Sequence, residues 1–149
     1  MAIISVARFE QFFRDVAGLD VDKSDLKRYD DFIHAKLYDL LVVAEAKASA
    51  NGRDIVQRQD LPVTKGLQEC VHAFRRMDEQ IELEPILERI ATRPGLDLAV
   101  ADEVESELPR LAGGLSVALA RSFKEIDPSV KNPQSQHWER AFALYGHEH

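Results

Sequence analysis

Residues 51–60 read NGRDIVQRQD. The stretch lies between two segments with helical spacing. Asn51 and Gly52 are residue types that tolerate left-handed geometry and can end a helix. Asp60 can begin the next helix, with Pro62 in a first turn where its missing N–H does little harm. Between them stand Arg53, Asp54 and two β-branched residues, Ile55 and Val56. An Arg and an Asp seven positions apart in so short a connector call for a structural reason.

The flanking segments are helical. Val6, Phe9, Phe13, Val16 and Ala17 form one apolar stripe, and Gly18 can close that helix. Asp22 or Ser24 can cap the next one, with Asp25 near its positive end. Leu26, Tyr29, Ile33, Leu37, Leu40, Ala44 and Ala48 then mark the face of a long helix. Its middle, LLVVAEA (residues 40–46), is apolar almost all round, which predicts partners on several sides. After the connector, Leu67, Val71, Phe74 and Cys70 give a third, shorter helix. Residues 5–76 therefore read as medium helix, long helix, short helix.

The rest of the chain repeats that order. LEPILERIATRPGLDL (residues 83–98) predicts a short helix with Ile86, Leu87 and Ile90 inward, stopped by Pro94-Gly95. Residues 101–126 predict a long helix marked by Val104, Leu108, Leu111, Leu115, Leu119, Phe123 and Ile126. Residues 135–145 predict a last helix. Gly18-Leu19-Asp20-Val21 and Gly95-Leu96-Asp97-Leu98 lie 77 residues apart and precede the two long helices, as an internal duplication would place them. The expectation is one domain over 1–149 with halves at 5–76 and 81–145. Pro109 should remove one backbone bond and kink the second long helix. Gly113-Gly114 suggests a close helix crossing, against the alanine-rich end of the first long helix (Ala44, Ala46, Ala48).

Composition narrows function. Hydrophobic residues are 45% and charged residues 30% of the 149, a soluble globular balance. The N-terminus lacks the features of a signal peptide. A lone Cys70 cannot form an internal disulfide, so a reducing cytoplasm is the plain reading. Residues 1–77 hold 12 basic and 12 acidic side chains, and residues 78–149 hold 7 and 14, so the second half carries the whole −7. Such a surface repels phosphate backbones.

The helix order with brief strand-like loops is similar to the histone fold. GRDIVQRQDL resembles the second loop of archaeal histones, in which an Arg precedes two β-branched residues and an Asp opens the last helix seven positions on. The resemblance implies that Arg53 clamps Asp60 in a charge-assisted contact, while Ile55-Val56 pairs with a loop of the partner fold. The whole chain resembles the bacterial tandem histone-fold family DUF1931, through GLDVDKSDLKR, KLYDLL, NGRDI, KGLQE and KNPQ. That implies an all-α single-chain pseudo-dimer: a self-sufficient monomer able to associate further, with no membrane segment. The second half departs from the pattern, because DPSVKNPQSQ has Lys131 but no Arg and Asp at the matching spacing.

Catalytic chemistry finds no motif. There is no phosphate loop, zinc-spaced Cys/His set or nucleophile elbow, and neither an enzyme nor a cofactor or metal site is expected. His34 lies four after Asp30 and could ligate a metal with it, but a solvated helix face is simpler. His147 and His149 sit on a terminus. Cys70, Trp138 and Phe142 read as core. Glu103, Glu105 and Glu107 do not align on one helix face. Two non-catalytic readings lead, ahead of an unrecognised enzyme: an architectural or protein-interaction module with an unidentified partner, and a weak histone-like DNA binder. For DNA the basic candidates are Lys23, Lys27 and Arg28, near a helix N-terminus that favours anions, with Arg8, Arg14, Arg75 and Arg76 nearby. Against them stands Asp54. Archaeal histones typically carry a Lys after the loop Arg, followed by a Thr, and both face the phosphates.

Overall fold

A computed structural model describes residues 5–77, 88, 90 and 99–146. Helix α1 (Val6–Ala17) is capped by the Ser5 side chain and closed by Gly18 at φ +64°. The Gly18 and Leu19 N–H groups donate to the carbonyls of Arg14 and Phe13, so glycine is used here for its left-handed freedom. Helix α2 (Lys23–Ala50) starts with a reciprocal box: Asp22 accepts the Ser24 N–H, and Asp25 accepts the Asp22 N–H. It ends at Asn51, with Gly52 at φ +73°.

Strand β1 (Ile55–Val56) follows, then a 3-10 turn over Arg58–Asp60. Helix α3 runs from Lys65 to Arg76 and is capped by Thr64, whose Oγ1 accepts the Leu67 N–H. Asp60 therefore does not open this helix, and Pro62 precedes it. The carboxylate is engaged elsewhere, which leaves the capping role to a hydroxyl four residues on. Strand β2 (Ala99–Val100), helix α4 (Asp102–Ile126) and helix α5 (Ser135–Gly146) complete the described chain. Of the expected short helix, Glu88 and Ile90 are described and helical, whereas Ile86, Leu87, the Pro94-Gly95 stop, the second repeat marker, and His147 and His149 lie outside the described residues. Ile90 is described and is buried.

The long helices α2 and α4 meet in one core, and a buried polar contact marks the meeting. Tyr29 Oη lies 2.7 Å from Ser116 Oγ, and that hydroxyl donates to the Ala112 carbonyl. Around it Phe9, Phe13, Phe123 and Trp138 make edge and tilted ring contacts at centroid separations of 4.9–6.5 Å. Phe12, absent from the expected stripe, is buried and contacts Phe74.

The loops pair reciprocally. β1 and β2 are parallel, with Ile55 opposite Ala99 and Val56 opposite Val100. At the other end the Asp20 N–H donates to the Lys131 carbonyl at 2.6 Å. Each long helix thus has its preceding loop bound to the loop that follows the other long helix.

Two packing expectations change. The close crossing at Gly113-Gly114 is made with α3, not with the alanines of α2. A Cβ at Gly113 would enter the Phe74 ring, and one at Gly114 would lie 2.6 Å from Val71 Cγ2 and 3.1 Å from its backbone nitrogen. The LLVVAEA stretch is not enclosed: Leu41 and Ala44 are buried, whereas Val42, Val43 and Ala46 face outward. An α-helix turns about 100° per residue, so the surrounding elements cover one side only. Pro109 lies within α4, which continues through it.

Candidate functional site: the two loop bridges

The first bridge is built on the connector after α2. Arg53 Nη1 and Nη2 donate to Asp60 Oδ2 and Oδ1 at 2.6 and 2.7 Å, a bidentate contact across the loop. The Gln57 N–H also donates to Asp60 Oδ2 at 2.9 Å, and Arg53 Nη1 reaches Gln57 Oε1 at 3.2 Å. Asp60 has no exposed surface. The Arg53 guanidinium holds its carboxyl below the usual carboxylate range, and the Gln57 amide adds to that effect. The clamp closes the chain reversal that presents Val56 to Val100.

Carboxylates crowd the outer surface of this bridge, while Lys47 Nζ donates to the Gln59 carbonyl at 2.8 Å. Asp54 is exposed beside β1, and Asp102, Glu103 and Glu105 crowd the first turn of α4 directly after β2. Arg58 is drawn into the same group: its N–H donates to Glu103 Oε1 at 3.3 Å, and its guanidinium lies 3.4 Å from Glu107. Glu107 also meets Arg110 at 3.2 Å. The carboxylates favour the positive end of the α4 dipole.

A different latch holds the second bridge. Asp127 ends α4, and its Oδ1 accepts the N–H and hydroxyl of Ser129. Its Oδ2 lies 3.3 Å from His137 Nε2. His137 Nδ1 accepts the Gln134 N–H at 2.9 Å, and Lys124 Nζ donates to the Val130 carbonyl at 2.5 Å. The bonds from Ser129, followed by the His137 contact, hold the Asp127 carboxyl below its ordinary value. Here the acid follows the long helix and the partner base lies ten residues on, the reverse of Arg53 and Asp60. A search for Arg followed by Asp at a spacing of seven cannot find it. The signal available was a His three positions after Gln134, where it can bond back to the N–H that precedes a helix.

The basic candidates meet different fates. Lys23 is exposed at the first residue of α2. Lys27 pairs with Asp31 at 2.9 Å. Arg28 lies 3.6 Å from the buried Asp25 and donates to Ser135 Oγ at 2.9 Å, tying α2 to α5. Asp25 in turn accepts the Trp138 indole N–H at 3.0 Å, and burial pushes its carboxyl up despite these donors. Arg14 is 3.8 Å from Asp20, and Arg75 and Arg76 are exposed in the last turn of α3.

His34 is not on a solvated face. It is fully buried, with Nδ1 2.7 Å from the Asp30 carbonyl, and Asp30 is buried too. Both lie on the side of α2 turned inward, where a ring nitrogen can meet the preceding turn. No group of three or more metal-ligating side chains occurs among the described residues. Cys70 is half-buried against the core, and burial pushes its thiol up. Trp138 is buried, and Phe142 stacks on Phe32 at 5.2 Å.

The profile of a domain of unknown function, DUF1931, matches residues 9–145. The chain belongs to the DUF1931 family. A protein of Thermus thermophilus, known from its crystal structure, is 56% identical, with 97% of each chain covered and a TM-score of 0.91. A protein of Aquifex aeolicus solved at 1.9 Å is 24% identical, covering 96% of this chain and 94% of its own, with a TM-score of 0.81. An uncharacterized Aquifex aeolicus protein is 27% identical over 79% of this chain and 69% of its own. The histone of Methanopyrus kandleri aligns over 93% and 92% of the two chains with a TM-score of 0.60 and 16% identity. At that identity the likeness shows the fold alone. This DUF1931 protein is thus all-α with the histone fold, and the loop pairing expected from the histone resemblance is the pairing of β1 with β2. No helix among its described residues is long and apolar enough to cross a membrane.

Proposed function

We propose that this DUF1931 protein is a non-catalytic architectural module that acts through a protein partner, with duplex DNA at most a weak ligand. The observation that carries the reading is the charge of the first bridge. A histone fold that held phosphates there would need cations, and this surface offers Asp54, Asp102 and Glu103, with Arg58 turned to Glu103 and Glu107. The titratable groups in the core support a structural role: Asp60 closes a loop, Asp25 caps α2, and His137 caps α5. A pull-down from cell lysate with and without nuclease tests it. Capture of protein that survives nuclease is expected, and capture of nucleic acid alone would overturn the reading.

A second reading rests on the Asp20–Lys131 bond. It sets Lys131 against the loop that leads into Lys23, so exposed lysines approach the second bridge from both halves. Duplex binding there would be weak and sequence-independent. Its salt slope would be shallow, because each neutralised phosphate contributes only about −0.9 to the log–log slope. A gel-shift series over rising salt decides it. Lys23→Glu with Lys131→Glu should abolish binding, since these are the exposed lysines of that bridge. Nanomolar affinity persisting at about 150 mM salt would promote a histone-like role.

A further inference from the structure

We propose that the second loop bridge is a proton-operated latch, built on His137, that loosens on mild acidification while the first bridge stays closed. The two bridges join the same pair of long helices but are locked by groups of different chemistry. At the first, an arginine meets a fully buried carboxylate through two parallel bonds. Arginine keeps its proton at any pH a cell meets, and the carboxyl of Asp60 is held ionised. At the second, the latch is an imidazole that accepts one hydrogen bond and donates another.

The bonds fix its proton. Gln134 donates its N–H to Nδ1, so Nδ1 carries a lone pair and the proton of the neutral ring is on Nε2, directed at Asp127 Oδ2. Gln134 immediately precedes α5, and His137 is the third residue of that helix. The ring is therefore the acceptor half of a capping box. A second proton can enter only at Nδ1. It sets two N–H groups against each other and places a cation at the positive end of the helix. The contact with Asp127 gains from the added charge, but it is long at 3.3 Å, and the Asp127 side chain is 41% exposed. The Nδ1 bond is shorter, and its ring is 10% exposed. Loss of the cap outweighs the gain at Asp127.

Opening would spread along the connector. Its other ties include the Ser129 bonds to Asp127, the Lys124 bond to Val130, the Asp20 bond to Lys131 and the Arg28 bond to Ser135. The charged groups around the latch are Asp127 and Lys131 on the connector, Lys124 of α4, and Asp20 with its partner Arg14 from the α1 side. Asp22, Asp25 and Arg28 lie at the start of α2, and Glu139 and Arg140 on α5. Of these carboxyls, the Ser129 and His137 contacts hold Asp127 below its ordinary value, and burial pushes Asp25 up.

Amide hydrogen exchange followed by NMR tests the latch in the full chain, between about pH 8 and pH 5, the range in which imidazoles change charge. Protection at the Gln134 and Asp20 amides, corrected for intrinsic exchange, should fall roughly three- to tenfold on acidification, the worth of one hydrogen bond. Protection at Gln57 should hold. The His137 ring should show the Nε2–H tautomer at the upper end. His137→Gln keeps an acceptor that does not titrate, and its protection should be independent of pH; His137→Ala should lose it throughout. Constant or rising protection in the wild-type chain would overturn the proposal. So would an equal fall in His137→Gln, which would assign the effect to a carboxylate such as Asp25.

Discussion

Replacing Gly113 with alanine separates a close helix crossing from a local distortion. In an open helix the change would stabilise by about 1 kcal/mol, because glycine loses more backbone freedom on folding. Here the added methyl would occupy the space of the Phe74 ring, against Cγ, Cδ2 and Cε2 together. The ring cannot swing aside freely, since Phe74 is 5% exposed and its centroid lies 6.1 Å from that of the buried Phe12. Overpacking of this kind costs about 1–3 kcal/mol, and overlap with three ring atoms puts it at the upper end. Net of the propensity gain, Gly113→Ala should destabilise by about 2 kcal/mol, a fall of roughly 4–8 °C in Tm for a chain of this size. Gly66→Ala is the control, because nothing lies within 4 Å of a Cβ there, and its Tm should hold or rise. Urea unfolding of Gly113→Ala, Phe74→Leu and the double variant supplies a cycle in which the double loses less than the sum of the singles. A stabilised Gly113→Ala, or strict additivity, would refute the crossing.

Three other outcomes follow from the same contacts. Tyr29→Phe should lose about 0.5–1.5 kcal/mol in urea unfolding, since Ser116 keeps its bond to Ala112 and only the inter-helix bond goes; no loss would show that this bond does not hold α2 to α4. Arg53→Ala and Asp60→Ala should be coupled, the double change costing less than the sum, and additivity would remove the clamp. Because the folded chain holds the Asp60 carboxyl below its unfolded value, its stabilisation is complete above about pH 4 and fades as pH falls through the folded value. Asp60→Asn should lower stability at neutral pH and flatten the acid limb of the stability curve. Burial pushes the Cys70 thiol up, so alkylation should be slow at neutral pH and accelerate as pH rises past the ordinary thiol range; fast labelling at neutral pH would contradict its packing.

What could be read from sequence was whatever depends on period and punctuation. The α4 stripe from Val104 to Phe123 repeats at helical spacing, and every residue named in it is buried. Gly18 and Gly52 mark helix ends because backbone sterics admit few other residues at positive φ. What stayed hidden depends on which surfaces meet. Gly113 and Gly114 announced that something approaches α4 closely, but a missing side chain says nothing of its neighbour, and α3 rather than α2 fills the space. His34 four residues after Asp30 has the same spacing whether the pair faces water or core. Only the placement of the whole helix buries it. The second bridge shows the limit most clearly. The geometric need is the same at both ends, to fold a connector back after a long helix and present it to the other half. Arg53 with Asp60 meets that need at one end, and Asp127 with His137 meets it at the other with the order of acid and base along the chain reversed. A motif search follows residue types, whereas the fold constrains only that a donor meet an acceptor across the turn. Two halves of one chain can therefore keep the same bridge and share neither its residues nor its response to pH.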